Sequence, residues 1–248
     1  MKNLKTLLFA FVLTFSIGSY AQTAEEIVDT YLENIGGKEK LSQLKGVKMM
    51  GSMKMGNMSI PFEMVSTKDG KQLVTIELQG NKMVWSAFDG EVSWQRNQMT
   101  MEPEKSDNEA TQNLKNEMEQ FPDPFLNYKE KGYTVELIGK ETIDGAETFK
   151  IKLTKKPILV NGESKPNISH YYFDTENFVP IVTETQVNEG PMKGQTIKST
   201  LSDYQEVDGI YFPFSIGNKF QTMEFKEMKL NPELEAASFA LPKPAAKK

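Results

Sequence analysis

The stretch Val47-Lys-Met-Met-Gly51-Ser-Met-Lys-Met-Gly56-Asn57-Met58-Ser-Ile-Pro-Phe-Glu-Met-Val65 decides the fold. Gly56-Asn57 sits between two alternating runs and reads as a two-residue hairpin turn. Counting outward from it, Met55 faces Met58, Met53 faces Ile60, Gly51 faces Phe62 and Met49 faces Met64. Side chains in a strand alternate between faces, so all eight share one surface. Lys48, Ser52, Lys54, Ser59 and Glu63 fall on the other, with Met50 and Val65 as exceptions. Lys68-Asp69-Gly70 fits a three-residue loop that keeps Val74, Ile76 and Leu78 on the apolar face. Gly80-Asn81 as the next turn pairs Leu78 with Met83 and Ile76 with Trp85. Asp89-Gly90 then pairs Trp85 with Trp94 and Ala87 with Val92, and puts Arg96 opposite Met83. Five consecutive strands thus agree on one apolar surface.

Working towards the N-terminus, Thr23 and Glu26 form a capping box. Ile27, Val28, Tyr31, Leu32 and Ile35 follow as a helical stripe that Gly36-Gly37 ends. Before this helix, Lys2 and Lys5, the apolar run Leu7 to Ile17 and Ser19-Tyr20-Ala21 read as a cleavable export signal covering residues 1–21. The run is too short to span a bilayer as a helix, so no transmembrane span is expected. No cysteine follows Ala21 to carry a lipid. The remaining 227 residues hold 27 basic and 34 acidic side chains, a net charge of −7. That balance disfavours nucleic acid or an anionic membrane bound through bulk charge.

Working towards the C-terminus, Met101 to Asp107 interrupts the meander. Ser106 and Glu109 suggest a second capping box, followed by the narrow stripe Ala110, Leu114, Met118 and Phe121 before Pro122. Such a stripe suits a helix lying over the mouth of a sheet. Alternating runs resume at Tyr133–Gly139 and Thr148–Thr154. Further candidates are His170–Phe173, Val179–Val187, Gly194–Tyr204, Ile210–Ile216 and Phe220–Leu230. Turns every ten or so residues mark a barrel or sandwich. One domain is expected over 22–240, with a frayed tail over 241–248.

A search for chemistry is mostly negative. The chain has one histidine and no cysteine. A nucleophile–histidine arrangement would have to use His170, beside Tyr171 and Tyr172 in a strand where a packed or solvent-facing imidazole is the ordinary reading. Zinc wants several His or Cys ligands, no glycine-rich phosphate loop is present, and no carboxylate pair, Asp203 and Glu206 included, stands out from surface charge. Neither a catalytic residue, a metal site nor a cofactor is expected.

Six of the fourteen methionines fall between Met49 and Met64. They read either as gap filler in an ordinary core or as an adaptable lining for apolar chains. Trp85 and Trp94 read as a packed pair or a ligand platform. Arg96, the only arginine, reads as a strand end or as a rim guanidinium for a phosphate or carboxylate headgroup.

The stretch Tyr31-Leu-Glu-Asn-Ile-Gly-Gly-Lys-Glu-Lys-Leu-Ser-Gln-Leu-Lys-Gly-Val-Lys48 resembles the opening of exported proteins of the LolA/LolB-like outer-membrane lipoprotein-sorting family. Ser202-Asp-Tyr-Gln-Glu-Val-Asp-Gly-Ile-Tyr-Phe-Pro-Phe-Ser-Ile216 is similar to their late hairpin. The resemblance implies a mainly β (α+β) fold: an incomplete antiparallel β-barrel of about eleven strands, with an N-terminal helix and a helical lid insertion. It also implies a periplasmic or cell-envelope protein holding lipid or lipoprotein acyl chains. Dedicated carriers tie lid to barrel with an arginine, and no motif aligns Arg96 with it. The expected lining is Met49, Met53, Met55, Ile60, Phe62, Met64, Ile76, Leu78, Trp85 and Trp94, with Arg96 at the rim and Leu114 and Met118 on the lid. The alternative is a non-catalytic module whose apolar face packs on a protein partner in an envelope complex or on an exported peptidase.

Overall fold

The structure is a computed structural model that describes residues 22–188 and 192–242. The expected signal segment 1–21, residues 189–191 and the last six residues, most of the expected frayed tail, lie outside the described residues. Two helices, α1 (Ala24–Asn34) and α2 (Lys38–Gln43), precede a meander of β1 (Gly46–Met55), β2 (Met58–Thr67), β3 (Gln72–Leu78), β4 (Asn81–Phe88), β5 (Ser93–Arg96) and β6 (Pro103–Lys105). Helix α3 (Asn108–Met118) interrupts it. β7 (Thr134–Ile143), β8 (Ala146–Val160), β9 (Glu163–Asp174), β10 (Pro180–Gln186), β11 (Thr196–Val207), β12 (Ile210–Gly217) and β13 (Thr222–Leu230) complete the sheet. All thirteen strands form one sheet in the order β6-β5-β4-β3-β2-β1-β13-β12-β11-β10-β9-β8-β7. The first and last strands pair at its middle and β6 and β7 are its free edges, so this is an unclosed antiparallel barrel. The count exceeds the expected eleven or so. The strand absent from the sequence reading is β6, three residues within the polar interruption.

Local sequence accounts for the start. Thr23 accepts from the Glu26 amide, and Glu26 accepts from the Thr23 amide at 2.9 Å, the expected capping box. The stripe of α1 is buried against the concave face of the sheet. Gly36, at φ +128°, lies so close to the β11–β12 turn that an added Cβ would stand 2.6 Å from the Gly209 carbonyl oxygen. The Ile35 carbonyl accepts there from the Tyr211 amide at 2.9 Å. The two stretches that carried the family resemblance are therefore opposite sides of one contact.

The hairpin register of β1 and β2 is as read from the turn: Met55, Met53, Gly51 and Met49 pair with Met58, Ile60, Phe62 and Met64. Phe62 pairs with Ile76 and Met64 with Val74, keeping β3 on the same face. The next hairpin differs. Its turn is Gln79-Gly80, both at positive φ, so Leu78 pairs with Asn81 and Ile76 with Met83. A bulge between Val74 and Thr75 on the β3 side then makes Trp85 the extra residue and reverses the parity of the remaining β4 positions and of β5. As a result Trp94 pairs with Ala87 and not with Trp85.

That reversal explains one of the two exceptions on the outer face, Val65. Val65 pairs with Leu73, Leu73 with Ala87 and Ala87 with Trp94, a row of apolar positions on the convex side. The C-terminal 3-10 turn (Ala236–Phe239) covers it: Phe239 is buried and its carbonyl accepts from Trp94 Nε1 at 3.1 Å. Replacing Phe239 with alanine is expected to cost about 3 kcal/mol and to shift Trp94 emission to the red. Denaturant unfolding with fluorescence checks both.

Candidate functional site: a half-filled concave face

The concave face carries two apolar clusters. In the first, α1, α2 and the segment Phe121 to Tyr133 fill the space over β7–β9 and the start of β12, and residues such as Ile151, Leu153 and Phe173 are fully buried. Asp123 anchors that segment. It accepts from Tyr31 Oη at 2.6 Å and from the Phe125 amide at 2.8 Å, and burial pushes its carboxyl above the usual range.

The second cluster lies over β1–β4 and β11–β13. Phe62, Ile76, Phe214, Phe225 and Met228 form its floor, and Met49, Met53, Ile60, Met64, Leu78 and Trp85 stand half-buried around them. Met49 and Phe212 belong to both clusters, so one apolar surface runs the width of the half-barrel. Chain segments cover its first half. The second half leaves thioethers and aliphatic side chains partly in contact with solvent.

Sequence reasoning placed eight lining residues in this cluster: Met49, Met53, Ile60, Phe62, Met64, Ile76, Leu78 and Trp85. Met55 instead sits exposed beside the β1–β2 turn. Trp94 lies beneath the C-terminal turn on the other side of the sheet. Missed from β12 and β13 were Phe214, Ile216, Met223, Phe225 and Met228. The β1–β13 register, with Met53 opposite Met223 and Gly51 opposite Phe225, brings them in. Their own alternation is broken by a bulge at Lys226, which hides it from a period-two scan.

Helix α3 closes the seam between the two edges of the sheet. Its N-cap is Asp107, whose carboxylate accepts from the Ala110 amide at 2.7 Å, and not Ser106. Glu109 is thereby released from a capping box and reaches the β8–β9 turn. It accepts from the Asn161 and Gly162 amides at 2.9 and 2.6 Å. One turn on, Asn113 donates to the Leu159 carbonyl at 2.7 Å and accepts from the Leu159 amide at 2.8 Å. The other end of α3 borders a cavity of about 250 Å³ that Met118 lines together with Val47, Met49 and Phe212. Met118 is buried and Leu114 half-buried.

Arg96 is not opposite Met83. Its Nε donates to the Val84 carbonyl at 2.8 Å and its Nη1 to the Met101 carbonyl at 2.6 Å. With Trp85 and Met99 it lines a polar cleft of about 640 Å³ beneath Asp107 and Ala110. His170 is on the convex face, paired with Glu184 across β9 and β10, where burial and Lys150 lower its pKa.

The class so defined is an unclosed antiparallel half-barrel with an inner helix and a seam-closing helix. It is the LolA-like fold. A LolA superfamily protein from Nitrosomonas europaea superposes with a TM-score of 0.54 at 16% identity, over 89% of this chain and 98% of that one. A domain from Vibrio parahaemolyticus named for outer membrane lipoprotein sorting gives 0.52 at 13% identity, over 87% and 97%. A DUF1329 family protein from Desulfovibrio piger gives 0.51 at 13% identity, over 89% and 98%. No protein-family model matches the sequence, and no curated protein matches it.

Proposed function

We propose that this protein is a non-enzymatic, exported carrier that holds lipid or lipoprotein acyl chains against the second apolar cluster, in the periplasm or cell envelope. One observation carries the reading: a single apolar face half filled by the chain itself and half lined by partly exposed methionine, leucine and isoleucine side chains. Each acyl methylene taken from water gains about 0.8 kcal/mol, so a long chain gains on the order of 10 kcal/mol before ordering costs. Flexible thioethers repack around chains of different shape. Arg96, placed in the polar cleft next to Trp85, is the proposed headgroup contact.

The deciding experiment is native mass spectrometry of protein isolated from its own envelope, with titration of a fluorescent fatty acid into delipidated protein. Co-purifying lipid and micromolar uptake support the carrier. If neither occurs, the face is a docking site for a protein partner, and the non-catalytic module reading replaces this one.

In this reading α3 is the lid, and Glu109 and Asn113 are its latch in place of an arginine. Charge-assisted hydrogen bonds contribute about 1.5–3 kcal/mol each and neutral ones about 1. The pair Glu109→Gln and Asn113→Ala is expected to raise the dissociation rate of bound fatty acid about tenfold. Hydrogen exchange over residues 108–118 should quicken with it. Unchanged exchange would show that the latch does not hold the helix.

A further inference from the structure

Four of the exposed large apolar side chains share one end of the half-barrel. Met55 and Met58 flank the β1–β2 turn, Met99 is in the β5–β6 loop and Phe220 in the β12–β13 turn, with relative exposures of 38%, 61%, 92% and 43%. The register aligns these turns. Lys54 pairs with Thr222, which sets the β12–β13 turn beside that of β1–β2. Arg96 reaches the Val84 carbonyl, and β4 and β5 run antiparallel, so the β5–β6 loop lies towards the Asn81 end of β4. Directly inside this rim lie Met53, Ile60, Ile216 and Met223 of the second cluster, so the apolar groups of the rim border that cluster. Lys54, Lys82 and Lys219 stand at the same end, and Lys219 Nζ lies 4.7 Å from the Phe220 ring centroid. At the opposite end of the sheet, with the turns Asp144-Gly145 and Asp208-Gly209, Tyr211, whose hydroxyl donates to Glu206, and Leu234 in the segment after β13 are exposed at 41% and 38%.

We infer that this rim docks on a lipid bilayer, with Met55, Met58, Met99 and Phe220 entering the headgroup–acyl boundary. The inference rests on the carrier reading and specifies where the carrier meets its cargo. A bilayer fits better than a protein surface because the apolar groups stand on three separate turns divided by Asn57, Asn97 and Asn218. A stable protein interface needs about 800 Å² of contiguous complementary surface on each side. A membrane interface accepts separate apolar tips, with lysine stems lying along them and ammonium groups at phosphate level. Two of the three lysines are already paired, Lys54 with Glu224 and Lys82 with Glu63, and the mature chain is acidic. Apolar insertion rather than bulk charge therefore drives the contact, and phosphatidylcholine vesicles suffice as a probe.

The test is co-sedimentation of the whole mature chain with phosphatidylcholine vesicles. Met58→Glu combined with Phe220→Glu should lower partition at least tenfold while leaving uptake of soluble fluorescent fatty acid unchanged. The chain has no cysteine, so Met58→Cys can carry an environment-sensitive dye. That dye should shift to the blue on vesicles, whereas one at Glu176→Cys, at the far end, should not. Wild-type protein that stays in the supernatant, a double variant that sediments like wild type, or equal shifts at both labels overturns the docking rim. If fatty acid uptake persists in that case, the carrier reading stands without it. If vesicles bind but no fatty acid is taken up, the rim stands and the carrier reading falls.

Discussion

Aspartate in place of Ile60 is expected to abolish uptake of acyl chains. Ile60 belongs to the second apolar cluster, beside Met53, its partner on β1. A carboxylate there must be desolvated whenever a chain lies against it, and an unpaired charge in an apolar site costs several kcal/mol. Partial exposure of the free protein limits the loss of stability to about 1 kcal/mol, so the effect falls on the complex, with affinity reduced at least fifty-fold. Ser59→Asp is the matched control: one residue away, on the other side of the sheet, and exposed. It should leave uptake unchanged. Trp85, half-buried in the same cluster, reports occupancy by its emission, and Trp94 beneath the C-terminal turn does not. If Ser59→Asp and Ile60→Asp behave alike, the concave face is not where the chain lies.

Valine at Gly51 should be the most destabilising single change in the sheet. An ideal Cβ at this position would stand 2.1 Å from the Glu224 carbonyl oxygen and 2.9 Å from Phe225 Cα, both main-chain atoms that a rotamer change cannot move. The β1–β13 ladder would have to part at the bulge, at the middle of the thirteen strands. A loss on the order of 3 kcal/mol or more is expected, a fall in Tm of roughly 6–12 °C for a domain of this size. Alanine should do nearly as much damage as valine, because the clash begins at Cβ. Gly56→Ala separates this from a general intolerance of glycine replacement. Nothing lies within 4 Å of its Cβ, and only the left-handed φ of +56° opposes it, at about 1 kcal/mol. Thermal melts of the three variants decide the matter.

The sequence exposed those features whose cause is local. The capping box of α1, the Gly56-Asn57 and Lys68-Asp69-Gly70 turns and the register they impose are each written within a few residues, and the folded chain has them all. What escaped depends on distant partners. Trp85 alternates correctly with Met83 in sequence, and only a bulge opposite Val74 and Thr75 turns Trp94 to the convex face. Val65 looked like an exception because its cover, Phe239, comes from the far end of the chain. The Ser106/Glu109 spacing suggested a cap, but Asp107 took that role, and Glu109 found two turn amides some fifty residues away. Lining residues from β13 were hidden twice, by a bulge and by a pairing with β1 that no short window contains.

Lys54 and Glu224, ion-paired across the two central strands, are 170 positions apart. A chain emerging from its N-terminus therefore has no partner for one side of β1 until nearly everything else has appeared. The early hairpins can form as they arrive, yet the half-barrel has no middle until the last strand docks. Loop closure over such a span is slow relative to hairpin formation. During that interval the methionine-rich edge of β1 is an unpaired strand, open to any neighbouring chain in the same state. A chaperone that shields this edge should raise the yield of folded protein more than one that binds the completed hairpins.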